Sequence, residues 1–182
     1  FDDGRASDAN AILEEALHDA RELRKEIART KDILKQQQES AAVSISELLL
    51  KTSVTLADDS RPVDDRVKET HEIYLEAYAL ANESDYDREK HMDLLSKYGE
   101  FLSTYAKYED CLRVRTELLE LVSSVFGESH PDVALSYNNI GFVYGATCDY
   151  SKALEYLEKS LRIRLPVLGE NHPDVALSYN NI

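Results

Sequence analysis

Residues 127–140 read GESHPDVALSYNNI, and residues 169–182 read GENHPDVALSYNNI, thirteen identities in fourteen positions at an offset of 42. A further step of 42 backwards finds a fainter copy, in which Gly99 falls under Gly141, Tyr108 under Tyr150, Leu112 under Leu154 and Leu119 under Leu161. Internal similarity at a fixed period of this size marks an array of structural units, and the pattern within one unit decides which kind. Val133, Tyr137, Ile140, Gly141 and Tyr144 keep the spacing of one helical stripe, and Pro131 with Asp132 suits a helix start, where a missing N–H costs nothing and a negative charge meets the positive end of the dipole. After a turn at Thr147–Asp149, Tyr150, Ala153, Leu154, Leu157 and Leu161 again keep helical spacing, and Gly169 and Pro173 punctuate the exit. Each unit is therefore a pair of helices.

The elements Tyr137-x2-Ile140-Gly141-x2-Tyr144 and Ala153-x3-Leu157 resemble the tetratricopeptide repeat signature, in which small residues let paired helices approach closely. The linker LGENHPDVA followed by LSYNNIG resembles, more narrowly, the 42-residue repeats of the kinesin light chain type. The resemblance is strong over 127–182, weak over 85–126 and absent as a motif before about residue 60. It departs from the family at Cys148, where a Gly or Lys-type turn residue is usual. The resemblance implies an all-α, right-handed helix-pair solenoid whose first helices line a groove for a peptide or partner protein, serving as a cargo or assembly adaptor in the cytoplasm, with a link to the cytoskeleton.

Composition agrees with helices. The chain has 182 residues, 43% of them apolar, but only six Gly and four Pro, too few turn-formers for a many-stranded sheet protein. The formal charge of −14 opposes nucleic acid and anionic membrane surfaces, and no basic stripe compensates for it. Residues 1–126 carry 28 acidic and 17 basic side chains, whereas 127–182 carry 7 and 4, so the charge sits on the divergent half. Two cysteines without CxxC spacing read as small core or turn residues in a reducing compartment. No apolar run is long enough to span a membrane. These features predict a soluble, cytoplasmic chain.

The units divide as 85–126, 127–168 and the first helix of another unit at 169–182, the rest of which would lie beyond Ile182. Before them, 62–83 reads as a helix buried through Val67, Ile73, Tyr74, Ala77, Leu80 and Ala81. With a shorter helix at 45–57 it makes a degenerate pair over 41–84. Residues 7–39 read as a long amphipathic helix forming an N-terminal segment, 1–40. Within it Leu13, Ala20, Ile27 and Leu34 recur every seven residues with Ala16 and Leu23 between them, until the pattern fails at Thr30 and Gln37. That stripe either pairs with another chain as a coiled coil or folds back onto the first helix pair, and the weak seam favours folding back.

On the helix at 131–146, Leu135, Asn138, Phe142 and Gly145 lie roughly 150° from the core stripe at about 100° per residue. Leu and Phe on a second face suggest either packing on the neighbouring unit or a groove in which amides bind a peptide backbone and apolar residues hold its side chains. Carried over from the resemblance, the partner-binding positions are Asn138 and Phe142, Asn180 in the next copy, and Ser96 and Glu100 in the divergent one, to which the exposed stripe adds Leu135. Asn139 and Asn181 are better suited to caps or inter-helix hydrogen bonds. Without Lys or Arg to clamp a terminal carboxylate, the groove favours a neutral or basic peptide. The alternatives are a self-associating structural segment that uses the N-terminal helix and the last repeat, and a peptide-sensing regulator.

Catalysis has no candidate constellation. His130 and His172 are copies of one position beside Pro, and His18, His71 and His91 have no second ligand at metal spacing. Asp58/Asp59 and Asp64/Asp65 flank a turn and a helix start, where carboxylates cap. There is no phosphate loop, GxSxG or HExxH. No cofactor or metal is expected.

Overall fold

The computed structural model describes residues 3–84 and 86–182, with side-chain environments from Glu14 onward. Seven helices account for the described chain: α1 (Asp3–Ala57), α2 (Val63–Glu83), α3 (Arg88–Thr104), α4 (Tyr108–Phe126), α5 (Pro131–Ala146), α6 (Tyr150–Leu168) and α7 (Pro173–Asn181). There is no strand among the described residues. The fold is all-α, and the helices pair along the chain as α1·α2, α3·α4 and α5·α6, with α7 against α6.

The two helices expected at 7–39 and 45–57 are one. Between Arg5 and Ala57 the sequence has neither Gly nor Pro, and the serines around residue 42 bond back into the helix, Ser44 Oγ to the Ser40 carbonyl and Ser46 Oγ to that of Ala42. The β-branched stretch near Val54 stays helical because tertiary burial outweighs its weak propensity: Thr52 and Thr55 lie in the interface with α2. The helix stops where Asp58 Oδ1 accepts from the Ser60 backbone N–H (3.1 Å) and Pro62 follows. Arg66 reaches back from α2 to the Leu56 carbonyl at 2.6 Å, capping the end of α1.

The expected folding back of the N-terminal stripe does not occur. From Glu14 to Gln37 every residue is exposed, including Leu17, Leu23, Ile27, Ile33 and Leu34, and burial begins around Gln38, where α1 meets the segment Tyr86–Lys90. A single unbroken helix has no hinge at which to turn back, so α1 projects as an arm beyond the body. Leu13 lies outside the residues whose side chains are described.

The body is held by a core running from Ile45 through Tyr74, Ala77, Leu94, Leu95, Tyr98 and Leu102 to Val114, Val133 and Val143. Between α2 and α3 the packing is aromatic, with Tyr74 stacked on Tyr98 at 4.9 Å and tilted against Phe101 at 5.2 Å. The 42-residue period reappears in backbone detail. Gly127 and Gly169 end α4 and α6 at φ 84° and 83°, with ψ near the extended range, a conformation essentially reserved for Gly. His130 and His172 are helix N-caps whose Nδ1 atoms accept from Asp132 N–H (3.2 Å) and Asp174 N–H (3.1 Å), which gives the two copied histidines a structural task.

Candidate functional site

The close approach within the 127–168 unit is set by Gly141. A Cβ built there would lie 2.9 Å from Leu157 Cγ and 3.1 Å from the Ala153 carbonyl, so only Gly lets α5 and α6 pack at this distance. In the divergent unit Gly99 occupies the same place, but Arg115 stands where Leu157 stands, and the Cys111 thiol donates to the Gly99 carbonyl at 3.3 Å. Burial raises the pKa of that thiol, so Cys111 is a core group.

With the first helices so placed, α5 exposes Leu135 and Phe142, the latter at 66%, on either side of Asn138. Asn138 is half-buried rather than free: its Oδ1 accepts from Asn181 Nδ2 at 3.0 Å, across the gap to α7. Leu177 and Asn180, the copies of Leu135 and Asn138, are exposed on α7, and Ser96 and Glu100 are exposed on α3. The copies on α3 turn this surface acidic, because Asp93 stands at the Leu135 position and Glu100 at the Phe142 position, with Lys97 bound to Asp93 at 2.6 Å. The surface therefore runs from acidic on α3 to apolar and amide-bearing on α5 and α7.

A hollow of about 530 Å³ adjoins Phe142, bounded by Gly141, Gly145, Tyr150, Leu154, Leu157 and Ile182 among others. Tyr150 and Leu154, which share a helical stripe with Ala153 and Leu157, are exposed and line this hollow. Helical periodicity shows that a residue belongs to a stripe; it does not show whether a neighbour covers that part of the stripe.

A second polar set lies where α2, α3 and α4 meet. His71 Nδ1 is 3.2 Å from the Tyr98 hydroxyl, and His91 Nε2 is 3.7 Å from Glu117 Oε1, whose other oxygen accepts from the Tyr78 hydroxyl. Burial is the main cause lowering both imidazole pKa values; Asp110 opposes it at His71 and Glu117 at His91. Among the described residues no cluster of three metal-ligating side chains occurs, and no helix is long and apolar enough to cross a membrane.

A row of antiparallel helix pairs with close Gly contacts defines a helix-pair repeat protein. The tetratricopeptide repeat family model matches residues 90–165, which span most of α3 to all but the last turn of α6. Over these residues the chain is similar to tetratricopeptide repeats. Solved structures with the same fold include the nearly identical TPR-like repeats of a Podosopora anserina protein described as a putative kinesin light chain, at TM-score 0.53 and 15% identity, covering 80% of this chain and 61% of that one. BtubC (BKLC) from P. vanneervenii also matches, at TM-score 0.49 and 18% identity, covering 81% and 63%. The chain thus spans about three-fifths of the length of these two proteins. No curated protein matches the sequence significantly.

Proposed function

We propose that the chain is a protein-interaction module whose α3, α5 and α7 face captures an extended, neutral or basic segment of a partner protein, as a cytoplasmic adaptor or assembly scaffold in the manner of kinesin light chain repeats. The observation that supports this most is the exposure of Leu135 and Phe142 beside Asn138, with Leu177 and Asn180 repeating the arrangement on the next first helix. An exposed apolar pair beside an amide suits a peptide: the amide bonds the backbone and the apolar residues receive alternate side chains. Asn138 commits its oxygen to Asn181, which leaves its NH2 group to donate to a peptide carbonyl. Asp93 and Glu100 on α3 would favour a Lys or Arg at one end of the bound segment.

The test is fluorescence anisotropy against a panel of extended peptides, neutral, basic and acidic, with Asn138→Ala/Phe142→Ala as the control. Neutral or basic peptides carrying an apolar anchor should bind, and the double variant should lose about tenfold or more in affinity with unchanged helicity. Equal binding by the variant, or preference for acidic peptides, rejects the groove.

A further inference from the structure

The arm of α1 carries an exposed seam with charges arranged about it. Taking Ala20, Ile27 and Leu34 as heptad position a puts Ala16, Leu23, Thr30 and Gln37 at d, Asp19 and Glu26 at g, and Arg24 and Lys31 at e. Leu17 at e and Ile33 at g extend the apolar face at its two ends. The remaining positions hold Glu14, Glu15, His18, Arg21, Glu22, Lys25, Arg29, Asp32, Lys35 and Gln36, with Ala28 the single apolar residue, so the seam is the one apolar face between Glu14 and Gln37. The ion pairs made within the arm lie away from it, Lys25 to Glu22 at 2.7 Å and Lys35 to Glu39 at 3.9 Å. Asp19, Arg24, Glu26 and Lys31 form no ion pair with any described residue.

We propose that a second copy of this chain occupies the seam, forming a parallel, in-register two-stranded coiled coil through the α1 arm. In that arrangement each g residue meets the e residue of the following heptad on the other helix. Asp19 then faces Arg24 of the partner subunit and Glu26 faces Lys31 of the partner subunit, and the symmetry doubles both, giving four complementary contacts. Antiparallel pairing in the register that sets a against d brings Glu26 to Glu26 of the partner subunit and Arg24 to Arg24 of the partner subunit, like charges in both cases. The sequence thus selects both a copy of itself and one orientation. Ala20, Thr30 and Gln37 dilute the apolar seam, so the dimer is reversible, and Gln37 at the end nearest the body holds the register as a polar core residue. The two bodies then project from the same end of the coiled coil, which presents two repeat arrays to one partner.

The experiment is light scattering on the 182-residue chain at tens of micromolar. The wild type should show twice the mass of the 20.7 kDa chain. Asp19→Lys/Glu26→Lys and Arg24→Glu/Lys31→Glu should each halve it, and an equimolar mixture of the two should restore it. Thr30→Cys in a Cys148→Ser background should cross-link to itself without reductant, because d residues face each other only in the parallel register. A monomeric wild type, a dimer that survives both charge variants, a mixture that stays monomeric, or a dimer that does not cross-link through position 30 each overturns the proposal. None of the charge variants touches the body, so the packing and melting of α2–α7 should be unchanged in them by circular dichroism.

Discussion

Asn138 on α5 and Asn181 on α7 are tied by a hydrogen bond of 3.0 Å between positions 43 apart, one more than the repeat period. The bond therefore links a position in one unit to the neighbouring position in the next, and it spans successive first helices on the face assigned to partner binding. In the preceding step Ser96 and Asn139 take the two places, and Ser96 has too short a side chain to extend the amide pairing. Because the pair is partly exposed, its net worth lies at the low end for a hydrogen bond, about 0.5 kcal/mol. A double-mutant cycle with Asn138→Ala and Asn181→Ala should return a coupling of that size; additivity would mean the amides are independent in solution.

Gly141 and Gly145 lie one turn apart on α5 and should respond oppositely to alanine. At Gly141 the new methyl overlaps Leu157 and the Ala153 carbonyl, so Gly141→Ala should cost about 1–3 kcal/mol despite the better helix propensity of Ala. At Gly145 the nearest atom, Ala153 Cβ, is 4.0 Å away, so Gly145→Ala should be neutral or stabilising by up to about 1 kcal/mol. Chemical denaturation of the two variants side by side measures the contrast.

How far the sequence reads correctly depends on whether a residue's task is local. Gly127, Gly169, Pro131 and Pro173 act through their own backbone chemistry, so the ends of α4 and α6 and the starts of α5 and α7 follow from the 42-residue copy alone. Gly141 against Ala153 and Leu157 is likewise written in the repeat. The union of two helices into α1 is harder to see, because it rests on the absence of any breaker between residues 5 and 57 and on burial of Thr52 and Thr55 against α2. Asn138 shows the same limit at the candidate site. Its position on the exposed stripe is periodic and legible, as is an inter-helix bond at Asn181, but that these two residues are partners depends on how two units are spaced, which no single helix encodes.

Two turns store backbone strain. Ala106 and Cys148, again 42 apart, hold φ of 54° and 61°, where the bonds Lys107 N–H to the Leu102 carbonyl (2.8 Å) and Asp149 N–H to the Tyr144 carbonyl (2.9 Å) close α3 and α5. Such helix ends ordinarily use Gly, since a Cβ in the left-handed region costs about 1–2 kcal/mol. Gly gives back part of that gain through the freer unfolded chain. Ala106→Gly and Cys148→Gly should each raise stability by about 0.5–1 kcal/mol, and a lower melting temperature in both would show that the turns are not strained.

The buried histidines predict an acid sensitivity that is separable from that of the carboxylates. Burial holds His71 and His91 below the ordinary imidazole value; Lys107 and Arg113 add to the effect at His71, while Asp110 and Glu72 oppose it there and Glu117 opposes it at His91. Well above about pH 6.5 both imidazoles are neutral in folded and unfolded chains alike, and they contribute no pH dependence. Below that pH the unfolded chain binds protons that the folded chain resists, so stability falls with pH until the lowered folded values are reached. His91 Nε2 has no hydrogen-bond partner although Glu117 stands 3.7 Å away, so its protonation would call for a closer approach of α3 and α4. His71→Gln/His91→Gln should flatten the fall in melting temperature between about pH 7 and pH 5 relative to wild type, with the introduced amide oxygen at position 71 still able to accept from the Tyr98 hydroxyl. If the two curves stay parallel through that window, the loss belongs to the acidic side chains and not to these histidines.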